Sequence, residues 1–355
     1  MIDSNMNTFL YSSLDKMLLE LIKSNPFMGV SHGKMGICIY FFLMGHYENN
    51  QSKRETGEDL LNQVIDLLDQ NQELDIENGL AGIALGIRFL IKKGIVQGDV
   101  NEVLEDIDNT IFRRLNDERN SIRSILNDSQ IIQMLYYIYI RLGDFGESTD
   151  NYILFKDLLI KIVNVLGDES STSYMKESSS FSLYSYQLPL LLDVLGRILK
   201  LKIYNDKISH IITFLTPQIL SHRPYLHAFR LFLLYGLQSF NGCTNTEKGK
   251  LSLYMHDLEK QIDIDRILDV ELKNQDIFIS NGVAGIYLLI KMLEIQKKNS
   301  NIQLDIERLK NRILKSEAWH SLLNKPYFFK IHHGLFNGFP GTAIILWLMS
   351  QTKTM

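Results

Sequence analysis

The side chains of this 355-residue chain that could do chemistry by type and spacing cluster just ahead of glycines. His32, Asn78, Asn281 and Asn337 each precede a Gly-x-x-Gly element. An imidazole or carboxamide there can give and take hydrogen bonds with a peptide. His332 and His333 lead into the last such element, and His227 and Arg230 open an apolar stretch of their own. Imidazole exchanges protons near neutral pH and is a common metal ligand, so His227 and His333 are the candidate catalytic groups. His32, Asn78, Asn281, Asn337 and Arg230 are the candidate substrate-binding groups. A plainer reading stands beside each. The residues before the glycines occupy positions suited to helix caps, Arg230 suits an ion pair, and His332-His333 suits a solvated loop. Cys38 and Cys243 form neither a CxxC pair nor a disulfide framework, and Cys38 reads as a small buried apolar residue.

The elements that must position these residues repeat. Asn78 begins NGLAGIALGIRFLI, Asn281 begins NGVAGIYLLIKML and Asn337 begins NGFPGTAIILWLM; His32-Gly33-Lys34-Met35-Gly36 leads into ICIYFFLM. Each is a polar residue, Gly-x-x-Gly, then an apolar segment long enough for a buried helix. Both glycines fall on one helical face, which invites close approach of another helix or a ligand. Gly33 to Gly79 is 46 residues, Gly282 to Gly338 is 56, and the 203 between Gly79 and Gly282 divide into four steps. Each step is the size of a helix pair with its loops. Units without the glycines are therefore expected near residues 130, 181 and 231, where Gln130, Leu188 and Tyr225 introduce apolar segments. Between the apolar segments run amphipathic ones, Phe9 to Ile22, Gly57 to Leu68 and Val100 to Leu115. Apolar helices covered all round, alternating with helices that face water on one side, make two layers. Asp168 to Ser180, Asn241 to Lys250 and Lys297 to Asn301 read as loops. The expected architecture is one all-α domain over 1–355, a closed ring of seven helical hairpins.

Composition bounds the function. Hydrophobic residues at 45% and charged residues at 22% are ordinary globular values. A net charge of -4 with scattered Lys and Arg speaks against nucleic-acid binding. The longest apolar run, Ile37 to Met44, is too short to span a bilayer. No secretory signal is visible, so a reduced cytoplasmic setting is expected. No phosphate-cradling GxxxxGK[ST] loop and no GxSxG elbow occurs.

The units NGLAGIALG, NGVAGIYLL and NGFPGTAII at spacings near fifty resemble the GxxG helices of the lanthionine synthetase C-like (LanC-like) family. The resemblance runs from about residue 30 to 350 and implies an α/α toroid of seven hairpins with GxxG motifs at the starts of its inner helices. It also implies work in ribosomal peptide modification, with a precursor peptide or a peptide-modifying enzyme as partner. Active family members join a cysteine thiol to a dehydrated Ser or Thr on zinc held by two cysteines and a histidine, the metal favouring the attacking thiolate. Here Ser280 and Asn281 stand where Cys and His would precede Gly282, and the fifth unit offers Tyr225-Leu226-His227 without cysteine. Neutral oxygens hold zinc feebly. The expectation is a binding, accessory or pseudoenzyme member with no cofactor, its peptide meeting helix N-termini whose free N–H groups and positive dipole ends ring the opening. Two alternatives stay open. One is an active cyclase with a rebuilt site in which His227, His332 and His333 converge, with or without zinc. The other is a carbohydrate-active enzyme on an α/α barrel using carboxylates such as Glu77 and Asp276.

Overall fold

A computed structural model describes residues 2–69, 72–167, 173–240, 248–296, 302, 304–324 and 326–351. Cys243, most of the expected loops 241–250 and 297–301, and the start of the loop 168–180 lie outside the described residues. Among the described residues there is helix and no strand, and no helix is long and apolar enough to cross a membrane.

The helices pair along the chain as the repeat requires. α1 (Ile2–Ile22) precedes α2 (Lys34–Tyr47), and α3 (Gln51–Asp66) precedes α4 (Leu80–Lys92). α5 (Val100–Leu115) and the short α6 (Ile122–Ile125) precede α7 (Asp128–Leu142), and α8 (Asp150–Gly167) precedes α9 (Leu188–Lys200). α10 (Asn205–Ser221) precedes α11 (His227–Gln238). α12 (Lys248–Lys260) and the single turn α13 (Ile264–Arg266), which runs on as a π-helical stretch Ile267–Glu271, precede α14 (Val283–Gln296). The last repeat elaborates its first helix into α15 (Ile306–Leu314), α16 (Glu317–Asn324) and α17 (Pro326–Ile331) before α18 (Phe339–Gln351). The three units expected without glycines begin their apolar helices at residues 128, 188 and 227.

Burial follows the predicted alternation. Every residue of α2 from Lys34 to Gly45 is buried, whereas α3 buries only Gly57, Leu60, Leu61 and Val64. A helix apolar on all sides needs neighbours on all sides, and one with a single apolar stripe needs them on one.

The residues group into two compact units. The first comprises 1–107, 273–287 and 305–355, and so holds all four GxxG elements. Within it Phe42 of α2 abuts Gly57 of α3, and Met35 and Ile39 of α2 meet Gly86 of α4. The Tyr11 hydroxyl of α1 donates to the Ala343 carbonyl of α18 at 3.3 Å. The second unit comprises 108–272 and 288–304. There α9 and α11 press together at two glycines: a Cβ on Gly236 would sit 2.3 Å from the Pro189 carbonyl oxygen, and one on Gly196 2.7 Å from Ser239.

Candidate functional site

Each glycine helix begins against its own preceding loop. In α2 the N–H groups of Lys34, Met35 and Gly36 donate to the carbonyls of Phe27, Met28 and Gly29, at 2.9, 3.1 and 3.4 Å. In α4 Leu80, Ala81 and Gly82 donate to Glu73, Leu74 and Asp75, at 2.8, 3.3 and 3.3 Å. Val283 and Ala284 donate to Asp276 and Ile277, and Phe339 donates to His332, all seven residues back. The N–H groups that a helix start leaves without an internal partner are thus satisfied by main-chain carbonyls. For the loop to reach so close, the helix face must lack side chains. A Cβ on Gly36, Gly82, Gly285 or Gly341 would fall 2.1, 1.9, 2.0 or 1.8 Å from the carbonyl oxygen six residues earlier. The close approach that the glycines permit is therefore to the chain itself.

This corrects two expectations. The cap of α2 is Gly33 and that of α4 is Gly79, neither with a side-chain bond; His32 and Asn78 sit one position further out. The N–H groups expected to face a ligand are spent on the loop, whose carbonyl dipoles oppose the positive ends of the helices.

The loops are joined to one another in register. Two positions before the first glycine, Ser280 N–H donates to the Phe336 carbonyl at 3.0 Å, and Ser31 N–H to the Glu77 carbonyl at 2.7 Å. Between the last repeat and the first, a Cβ on Gly334 would lie 1.4 Å from the Ser31 carbonyl oxygen, so the two strands of chain touch. The His333 Nε2 stands 2.9 Å from the His32 carbonyl, and the Asn337 amide 3.5 Å from His32 Nε2. Asn281, Asn337, His32 and Asn78, one position before each glycine, thereby form a row in the first unit. Asn78 is exposed and the other three half-buried.

The histidines of this row are held and tuned. His333 Nδ1 lies 2.7 Å from the Lys330 carbonyl while its Nε2 faces that of His32; a neutral ring donates to only one of the two at a time. Asn25 donates its amide to the same His32 carbonyl at 3.1 Å. His332 donates Nδ1–H to the Asn337 carbonyl at 3.0 Å and stacks on Phe278 at 4.5 Å. Burial lowers the affinity of His32 for a proton below the usual imidazole range, helped by His333 and His332. Burial lowers that of His332 too, against the pull of the Asn337 carbonyl. Both rings are therefore neutral hydrogen-bonding groups at neutral pH.

His227 and Arg230 lie in the second unit, and each has a structural duty. His227 Nδ1 accepts the Asp263 N–H at 3.0 Å, and the Arg230 guanidinium stands 3.3 Å from its Nε2. Desolvation, with Arg230 beside it, lowers its proton affinity. Arg230 donates to the carbonyls of Pro224, Gln261 and Tyr225 at 2.8, 3.2 and 3.4 Å, tying the segments around the start of α11 together. The α11 cap is a residue that sequence spacing did not single out: Glu271 accepts the N–H groups of His227 and Ala228 at 2.7 and 2.9 Å. Asp276 accepts the Lys273 N–H at 2.8 Å, an ordinary turn cap.

The residues at the expected zinc positions do not fit the metal. The Ser280 hydroxyl leans on the Asn281 carboxamide oxygen at 3.4 Å, a pair of neutral oxygen donors. Cys38 is fully buried, its thiol donating to the Gly57 carbonyl at 3.4 Å. Among the described residues no three His, Cys, Asp or Glu side chains gather as a metal site.

The second unit carries buried carboxylates that the sequence reading passed over. Asp193, fully buried on α9, accepts hydrogen bonds from Tyr136, Tyr235, Ser239 and Arg197. Asp108 pairs with the fully buried Arg141, 2.7 Å apart, and accepts the Tyr137 hydroxyl. Of the tyrosines on α7, Tyr137 is fully buried and Tyr136 half-buried, each with its hydroxyl bonded to one of these carboxylates.

No family model and no curated protein matches this sequence. Among solved structures it is similar to nisin cyclase, with a TM-score of 0.61 and 12% identity over 98% of this chain and 95% of that one. The likeness establishes the fold: the all-α class of α/α toroid expected from the repeat.

Proposed function

We propose that this protein is a divergent LanC-like member working in ribosomal peptide modification in the cytoplasm, where it binds a precursor peptide or the enzyme that modifies it, without zinc. The observation that carries the reading is the row Asn281, Asn337, His32 and Asn78, set in register by main-chain bonds at its two outer joints and by the His333 contact with the His32 carbonyl at the middle one. A row of amides and neutral imidazoles at fixed spacing offers donors and acceptors to an extended peptide backbone. Full-length likeness to nisin cyclase supports the setting. The oxygens of Ser280 and Asn281 supply no ligand that would make a bound thiol a thiolate.

Two measurements test it. Protein purified without an affinity tag should hold no stoichiometric zinc by elemental analysis. A peptide bearing one cysteine and one dehydroalanine should keep its thiol, counted by alkylation, after incubation with the protein. One zinc per chain with thiol consumption that disappears in His333→Ala would replace this reading with an active cyclase built on histidine.

A further inference from the structure

We infer that Glu177 and His222, in the second unit, form a proton-operated latch: it holds residues 175–180 of the serine-rich loop against the start of α11 while the imidazole is charged, and lets them go when it is neutral. One side chain makes the closure. Glu177 Oε1 lies 2.8 Å from His222 Nε2, and Glu177 Oε2 accepts the Tyr225 N–H at 3.2 Å. The Glu177 and His222 side chains are 14% and 24% exposed, so salt screens the pair only in part. His222 Nε2 is buried and, for all its closeness to the carboxylate, makes no aligned hydrogen bond. A contact that is near but off-axis gives a neutral imidazole little, and gives an imidazolium the attraction of a full charge.

The groups around His222 leave it as the member that changes charge between pH 5 and 8. Tyr186 stands 6.0 Å away, ring to ring, and Tyr254 of α12 donates its hydroxyl to the His222 carbonyl. Burial raises both phenols above their ordinary value, so both stay neutral. Arg223, next in the chain, and Arg230 of α11 put positive charge near Tyr254 and keep it at any such pH. Glu271, the other carboxylate acting on Arg230, is occupied by the His227 and Ala228 N–H groups. Glu177 is thus the carboxylate that answers the imidazole. The ends of the loop are anchored independently. Tyr174 and Tyr186 are buried, Phe181 packs on Phe229 at 5.6 Å, and the Ser178 and Ser185 hydroxyls meet at 2.8 Å. Release is therefore local. The segment it frees, with Lys176 and Glu177, lines a cleft of about 580 Å³ whose other side is Asn127, Asp128 and Ser129 at the start of α7, so opening the latch widens that cleft.

The test is hydrogen exchange of the full chain followed by mass spectrometry at pH 5.5 and 8, corrected for the intrinsic rate at each pH, in fragments covering 175–180 and Tyr225. Protection in the wild type is greater at pH 5.5 by about tenfold, the difference between a charge-assisted and a neutral contact. Glu177→Gln, which keeps an acceptor for the Tyr225 N–H but carries no charge, shows the low protection at both pH values. His222→Lys, charged at both, shows the high protection at both. Fragments from α9 exchange alike in all three proteins, which reports that the fold is intact. Protection in the wild type that does not change with pH, or a pH dependence that survives in Glu177→Gln, overturns the inference. No peptide ligand enters the measurement, so its outcome is separate from that of the proposed function.

Discussion

The two units start their apolar helices by opposite means. In the unit with the GxxG elements, main-chain carbonyls seven residues back satisfy the helix N–H groups, and side chains are excluded from the contact. In the other unit, side chains satisfy the starts of two of the three apolar helices, while α9 begins with no side-chain bond at its cap. Asn127 and Gln130 cap α7 reciprocally, and Glu271 caps α11. The carboxylates of Asp108 and Asp193 anchor the neighbouring faces. The difference shows what a glycine motif buys structurally: a contact between main chains is the same whatever residues surround it, so it can recur and bring the residue before each glycine into register. The side-chain solution is particular to each place and creates no row.

Three measurements would break or sharpen this contrast. The largest effect belongs to the second unit. Asp108→Ala leaves Arg141 buried without its main counter-ion, and stability in a denaturant titration should fall by about 3–5 kcal/mol; a loss under about 1 kcal/mol would mean that Asp144, 2.9 Å away, carries the charge alone.

Next comes the glycine contact. Gly82→Ala or Gly341→Ala sets a methyl within 1.9 or 1.8 Å of a carbonyl oxygen, and should cost about 3 kcal/mol, the upper range for overpacking. Gly143→Ala, at a helical φ of -72° with its nearest atom 3.3 Å away, should be neutral or slightly stabilising. Similar costs at all three would deny that the glycines serve the loop contact.

The smallest effect is proton-linked. His32 and His332 have proton affinities in the fold below the ordinary value of 6.5. Their contribution is therefore fully present above about pH 6.5 and is lost as the pH falls through the lowered folded values. The melting temperature should drop between pH 7 and 5, and the drop should shrink in His332→Gln, whose amide can still hydrogen-bond but does not titrate.

What was legible in the sequence follows the same division. The GxxG elements disclosed α2, α4, α14 and α18 because a main-chain contact demands glycine at fixed positions. The apolar helices α7, α9 and α11 were legible only as periodicity: the spacing set units near 130, 181 and 231, and the segments introduced by Gln130, Leu188 and Tyr225 form helices that begin at 128, 188 and 227. The carbonyl caps were invisible, since any residue has a carbonyl, and the polar residues before the glycines were taken for the caps instead. Glu271 was invisible as a cap because it lies 44 residues from His227. The row itself was named residue by residue, whereas its linkage through Ser31 and Ser280 needed coordinates. Arg230, taken for a substrate contact or an ion pair, is occupied by three carbonyls.

The most direct test of the central claim is a calorimetric titration with the peptide bearing one cysteine and one dehydroalanine, into wild type and His32→Ala/Asn281→Ala/Asn337→Ala protein, with and without EDTA. The account predicts binding that chelation leaves unchanged and that the triple variant weakens at least about tenfold, the loss of two or three hydrogen bonds. Binding abolished by EDTA, or equal in the variant, would contradict it.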